Sequence, residues 1–539
     1  MMATQLNWNE LQHERKWEML LKQKRFALWA LYSSIGSMML GFDFGVAGTA
    51  TAFPAFQKQF GISFPSQPSG YLVPAKYQSG WFGASVAGDI IGNVIAGQLL
   101  ELIGRKHVIA VGSLISSVGI VLQVESSEWR LFLAGRLVGA IGYGAVYLES
   151  PVWIGENSRP ELRGFFLCLV NGSIVFGQFL LSLIAQATSK IDGKWSYQTI
   201  IVFQFFFVVL LMVVYPFYPE SPYYLLKKGK PEQARQALNR IHGPGDQVLI
   251  DAEMSRINIA IASSEEIQQV ISKESPLFFQ CWQGTNLKRT IIAILPIAGQ
   301  QLLGAAFVLG YVTYFLSLIG VTKYFTVSVV LYVVMLLSNL SAFFFVEVAG
   351  RRTLLIPGVI ILTMFLLLMG IMGCIHTDGA MWFSVVCIFI WAIVYQLTIG
   401  AVGFAFGSEI SHLPLRPTVQ SIIGITQGGV GWVIGFVTPY MINPDAGNLG
   451  AKVGFVFFGL GVPLCIVFYF LIPETRGLSF DEMDYLFNNN VSCRHFQSAI
   501  KTQREKTDAM FDVNVEDKSS KTDSAAVTHQ LETCATGSV

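Results

Sequence analysis

Four ionisable side chains, Asp43, Asp89, Arg136 and Glu149, stand inside runs of apolar residues. A charge at mid-membrane costs at least about 2.5–3.5 kcal/mol on insertion scales, so each needs a partner or a task. A carboxylate beside a guanidinium can do proton chemistry, because protonation neutralises the acid and loosens the pair. The same pair can also serve as a permanent bridge that fixes helix register. Similar apolar runs carry side-chain amides at Gln178, Gln300, Gln301 and Gln427. An amide both donates and accepts, so several of them can hold a hydroxyl-rich ligand; otherwise each must bond to a neighbouring helix.

These residues need elements to position them. The chain has 539 residues, 53% hydrophobic and 13% charged, which is about half the charge of an ordinary soluble protein and excludes a soluble enzyme. Its 51 glycines and 41 phenylalanines suit helices packed closely in lipid. A net charge of +1 gives no general attraction to nucleic acid. The seven cysteines show no CxxC or His/Cys spacing, so neither a disulfide framework nor a metal site is expected. No GxxxxGK[ST] loop is present, which disfavours ATP-driven chemistry, and no cofactor is expected.

A membrane-crossing helix needs about 20 apolar residues. Such windows fall at 27–50, 80–100, 107–125, 131–154, 165–187 and 199–218, then at 289–318, 324–346, 353–374, 381–408, 418–441 and 453–472. The chain therefore divides into a tail (1–26), a first set of six spans (27–218), a polar linker (219–288), a second set (289–472) and a polar, largely disordered tail (473–539). In the linker, Pro231 followed by helix formers to 242 predicts a surface helix, with another over 247–272. With both tails cytoplasmic, 28 of the 36 Lys and Arg residues lie on the inner side and seven outside, as the positive-inside rule requires. Asp43 and Arg136 then lie at matching depth, about 8–10 Å below the outer surface, and can pair. Glu149, about 20 Å further inward than Arg136, cannot join them.

The two sets are copies. ELIGRK (101–106) recurs as EVAGRR (347–352), GENSRPELRG (155–164) as GSEISHLPLRPT (407–418), and PESP (219–222) as PETR (473–476). Three motifs recurring in order mean a duplicated six-helix unit, the pattern of a transporter whose halves rock about a central site.

GRLVGAIGYG (135–144), PELRG (160–164), PESPYYL (219–225), QQLLG (300–304), AGRR (349–352) and PETRGLSFDEMDYLF (473–487) resemble the sugar porter family of the major facilitator superfamily. FPAFQKQFG (53–61), GYVTYF (310–315) and TPYMINPDAGNLGAKVGF (438–455) resemble its fungal maltose and α-glucoside permease branch. The resemblance implies an all-α membrane protein of twelve transmembrane helices in two six-helix, pseudo-symmetric halves. It implies a plasma-membrane carrier, acting as a monomer, that imports an α-glucoside such as maltose, or another sugar, with H+ as coupling ion. Asp43 and Arg136 match its coupling pair, and Gln178, Gln300, Gln301, Phe404 and Gln427 its sugar-contacting positions. Glu101, Arg105, Glu156, Arg163, Glu347, Arg351, Glu409 and Arg416 match its cytoplasmic gate.

The chain departs from the family's hexose carriers at Ala306, where they have asparagine, and at Phe404, where they have tryptophan. Both changes make a roomier, less polar pocket. Each gate loop has also lost one arginine, reading Glu101-Leu102 and Glu347-Val348. A facilitative hexose carrier, a carrier or exporter of a non-sugar metabolite, and a non-transporting sugar sensor remain the competing readings.

Overall fold

The computed structural model describes residues 23–502 except 159, 244–246, 272–276, 413–414, 479 and 490; the side chains of several helical residues, among them Arg163, Glu347 and Phe404, also lie outside the described set. Eleven helices among the described residues are long and apolar enough to cross a membrane. The first apolar run is not one of them, because it is divided into Lys24–Ser33 and Ile35–Thr51. At the division the Ser34 hydroxyl donates to Ala30 O (2.7 Å), a local bond of the kind that bends helices.

The second to fifth spans are Ala75–Ile103, Arg105–Val124, Trp129–Asn157 and Pro160–Thr188. The sixth runs through Trp195–Val202 and Gln204–Val214. In the second half the seventh span breaks between Gly284–Leu302 and Ala305–Leu318. Gly304 takes φ +91° there, a conformation that favours glycine. The eighth and ninth are Tyr324–Ala349 and Arg351–Met372. The tenth breaks at Thr398 between Asp378–Leu397 and Ile399–Ile410, and the last two are Arg416–Ile442 and Val453–Leu471. Unbroken apolar windows gave no sign of these breaks, since hydropathy measures length in the membrane and not helix continuity.

Within the first half the fourth span packs against the second and third, and the first against the fifth. Within the second half the ninth packs against the tenth and twelfth, and the seventh against the tenth. The halves meet where the second span touches the eleventh, the fifth touches the eighth, and the first touches the outer segment of the seventh. Glycines allow this closeness. A Cβ on Gly435 would collide with the Phe82 ring across the second–eleventh contact, and one on Gly48 with the Gly310 carbonyl across the first–seventh contact.

The linker carries helices Pro231–His242 and Gln247–Ile271. The C-terminal segment is more ordered than a largely disordered tail over 473–539 would be. A helix over Phe480–Asn488 is followed by ordered chain over residues 491–502. Met483, Leu486, Phe487, Cys493, Phe496 and Ile500 are buried there, and these apolar groups, spaced for one face, supply the reason for the order. The remaining tail, 503–539, lies outside the described residues.

Candidate functional site

Asp43 and Arg136 are each 1% exposed, and Arg136 Nη1 donates to Asp43 Oδ1. A third group completes the arrangement. Arg136 Nη2 donates to Ser85 Oγ (2.8 Å) and to Asp43 O (3.3 Å), while Ser85 Oγ donates to Asp43 Oδ2 (3.1 Å). The first, second and fourth spans thus share one buried charge network. Close packing of the fourth span on the third holds Arg136 in place, since a Cβ on Gly119 would collide with the Gly139 backbone. Sequence reasoning missed Ser85, although its position one turn before Asp89 was a usable signal.

Asp89 and, one turn on, Asn93 each bury an Oδ1 that has no hydrogen-bond partner. Glu149 is fully buried and lies apart from this network. It accepts from Ser33 Oγ (3.0 Å) and Tyr218 OH (2.8 Å), joining the first and fourth spans to the end of the sixth.

The amides divide into two kinds. Gln178, 2% exposed, and Gln301, 8% exposed, both have a buried Oε1 without a partner. Gln301 lies against Gly431 of the eleventh span, with its Oε1 3.4 Å from where a Cβ would stand. Gln427, half-buried, precedes Gly431 by one turn and so shares that face. Gln300 instead has both ends engaged on the tenth span: its Nε2 donates to Ile399 O (2.7 Å) and its Oε1 accepts from Tyr395 OH (3.3 Å). Phe404 belongs to the inner segment of that span, and its side chain lies outside the described residues. Ala306, 1% exposed, packs into the core just after the seventh-span break.

At the edge that carries the GR loops Arg105 pairs with Glu156 and with Glu101 (3.1 Å), and Lys227 pairs with Glu101 (2.6 Å). The hydrogen bond to Glu101 raises the Lys227 ammonium above its ordinary range. In the second half Arg351 pairs with Glu409 (2.8 Å), and Arg416 opens the eleventh span. The Arg105 pairs stay within the first half and the Arg351–Glu409 pair within the second, while Lys227 ties the linker to the first half. The side chains of Arg163 and Glu347 are outside the described residues.

The opposite edge is different, because bonds cross between halves there. Ser79 Oγ donates to Phe436 O (2.6 Å), Trp432 Nε1 to Gly83 O (3.2 Å) and Tyr324 OH to Ala52 O (3.1 Å). Along the second–eleventh contact the packing reaches Ile90 against Gly428, whereas one turn further inward a Cβ on Gly424 would meet nothing. The molecule is closed at this edge, with that contact ending toward the edge that carries the GR loops.

The family model described as Sugar (and other) transporter matches residues 29–487, and the chain belongs to that family. The "MFS transporter fmqE" of Aspergillus fumigatus is 30% identical over 511 residues, 90% of this chain and 92% of that protein. The "General alpha-glucoside permease" of Saccharomyces cerevisiae is 28% identical over 517 residues, 93% of this chain and 82% of that one. Among solved structures, the inward-open xylose transporter XylE from Escherichia coli superposes with a TM-score of 0.68 at 19% identity, covering 86% of this chain and 99% of that one. The fold is that of the major facilitator superfamily, and the chain is a membrane transporter, not an enzyme.

Proposed function

We propose that the chain is a proton-coupled symporter that carries an α-glucoside, or a related sugar, into the cell by alternating access. The observation that carries this reading is the buried Asp43–Arg136–Ser85 network in the first half. A proton arriving on Asp43 removes the charge that holds Arg136, leaving the guanidinium to Ser85 and the Asp43 carbonyl. The contacts made before and after protonation differ, and that difference is what lets a proton bias a two-state carrier.

Cargo binding belongs to Gln178, Gln301, Gln427 and Phe404 in this reading. The free acceptors of Gln178 and Gln301 suit sugar hydroxyls, which donate. Gln300 holds the tenth span beside them. The sets around Arg105 and Arg351 separate and rejoin as the cytoplasmic side opens and closes. The carrier works as a monomer in the plasma membrane with both termini cytoplasmic.

Uptake of labelled maltose, other α-glucosides and glucose in a transporter-null yeast, at two external pH values, tests this. Accumulation of an α-glucoside that rises as external pH falls is expected. Absence of saccharide uptake would favour the non-sugar carrier.

A further inference from the structure

One amide joins three spans at the outer face. Asn443, which ends the eleventh span, is fully buried. Its Nδ2 donates to Val73 O (2.9 Å) and Asp445 Oδ1 (2.5 Å), and its Oδ1 accepts from Gln78 Nε2 (3.2 Å) and from Tyr314 OH. Gln78 Nε2 also donates to Val73 O (2.9 Å), and Asp445 accepts the Ala75 N–H (3.0 Å) in the first turn of the second span. The outer segment of the seventh span is thereby tied to the second and eleventh, across the boundary between halves. Opening the outer face must break the bonds that cross that boundary: Asn443 to Val73, Gln78 to Asn443 and Ala75 to Asp445.

Breaking them leaves donors and acceptors that lose free energy unless they find new partners. Gln78 is 1% exposed, and its Oε1 has no partner even in the closed state. Parting the halves leaves Gln78 Oε1, Asn443 Oδ1 and the amide N–H groups of both residues short of partners at the outer entrance, beside the Tyr314 hydroxyl that still holds Asn443. A ligand rich in hydroxyls can donate to the first two and accept from the rest. We propose that Gln78, Tyr314 and Asn443 form an outer clasp that is also the first recognition subsite for a polyhydroxylated cargo. The subsite half of this proposal rests on the sugar reading above; the lock half does not.

The sign of one effect separates a lock from a subsite. Weakening a pure lock raises the outward-open population and so strengthens the apparent affinity for external cargo. Weakening a lock that also binds cargo raises that population but removes contacts to the cargo. The test uses the full-length carrier with Val73→Cys, a fully buried site, and with Cys374→Ser because that native thiol is exposed. A membrane-impermeant maleimide is applied from outside. Without sugar, Asn443→Ala is expected to speed labelling by about 5-fold or more, the effect of losing roughly 1 kcal/mol of closure. The half-saturation concentration for external maltose is expected to rise in the same variant. Tyr314→Phe, which deletes only a hydroxyl, keeps the test open should Asn443→Ala fail to fold, and it should move both quantities the same way by less. Unchanged labelling in a folded variant overturns the clasp. Faster labelling with a lower half-saturation overturns the recognition subsite. Faster labelling in a carrier whose unmutated form takes no saccharide supports the lock and removes the sugar reading.

Discussion

At the start of the third span Glu220 accepts the backbone N–H of Arg105 (2.9 Å) and Lys106 (3.2 Å); at the start of the ninth Glu474 accepts those of Arg351 (2.9 Å) and Arg352 (3.1 Å). The glycine before each helix, Gly104 or Gly350, has positive φ and no Cβ to block the approaching carboxylate. Even the next residue matches: Ser221 donates to Glu156 (2.5 Å) and Thr475 to Glu409 (2.6 Å). At mid-depth the likeness ends. Arg136 stands twenty residues before Glu156, and the position twenty before Glu409 is Phe389. The first half buries an ion pair where the second offers a ring, and the second places the adjacent amides Gln300 and Gln301 at the end of a broken helix. Duplication has kept the charged caps that start the third and ninth spans and has let the two mid-membrane sites specialise. Under the reading proposed above, one takes the driving ion and the other most of the cargo contacts.

The largest effect expected from this division is at Asp43. Asp43→Asn keeps the shape of the side chain and one acceptor oxygen, replaces the other with an NH2 donor, and cannot change charge. Accumulation of sugar against its gradient should be abolished, while exchange across the membrane continues, as measured by uptake and counterflow in vesicles. A variant that still accumulates sugar with unchanged pH dependence would remove Asp43 from coupling and leave the ion pair a structural bridge.

The repeated caps offer the next test. Glu220→Ala and Glu474→Ala each strip a charged acceptor from several helix-start N–H groups, at about 1.5–3 kcal/mol of stability each. Thermal unfolding in detergent should fall by similar amounts, slightly more for Glu474, which also accepts from Thr353 Oγ1 (3.1 Å). A large loss in one half and none in the other would contradict the view that these edges remained equivalent.

Much of this was legible in the residues themselves. Hydropathy located the spans, the recurring GR, PES and PET motifs exposed the duplication, and depth arithmetic brought Asp43 to Arg136, because helix rise and membrane thickness are fixed. What stayed hidden depends on contacts that no local pattern encodes. Asn443 lies 365 residues from Gln78, and nothing near either residue announces the other. The breaks at Ser34 and Thr398 sit inside continuous apolar runs. Gln300 and Gln301 are neighbours of one type, yet successive helical residues point about 100° apart, so one meets the tenth span and the other the eleventh.

Gln301 should therefore control affinity. Its Oε1 has no protein partner, so Gln301→Ala removes an acceptor that only cargo or water uses. Loss of a cargo hydrogen bond to a buried amide, about 1–3 kcal/mol, predicts binding weakened by roughly 5- to 150-fold. Substrate competition unchanged from the unmutated carrier would place Gln301 outside the cargo site.

Gln300 should give the smallest effect and one of a different kind. Its two bonds run to Ile399 O and Tyr395 OH, on either side of the tenth-span break, and Gly403 has no Cβ to displace its amide. These are neutral bonds, so their loss is worth about 0.5–1.5 kcal/mol each. Gln300→Leu, which keeps most of the bulk, should lower the thermal midpoint while changing half-saturation for sugar less than Gln301→Ala does. The contrast needs both measurements on both variants. A Gln300→Leu carrier with unchanged stability but sharply weakened sugar binding would mean that its two bonds exchange for cargo during the cycle. The amide pair would then work as one cargo site, and the division of labour between adjacent glutamines would disappear.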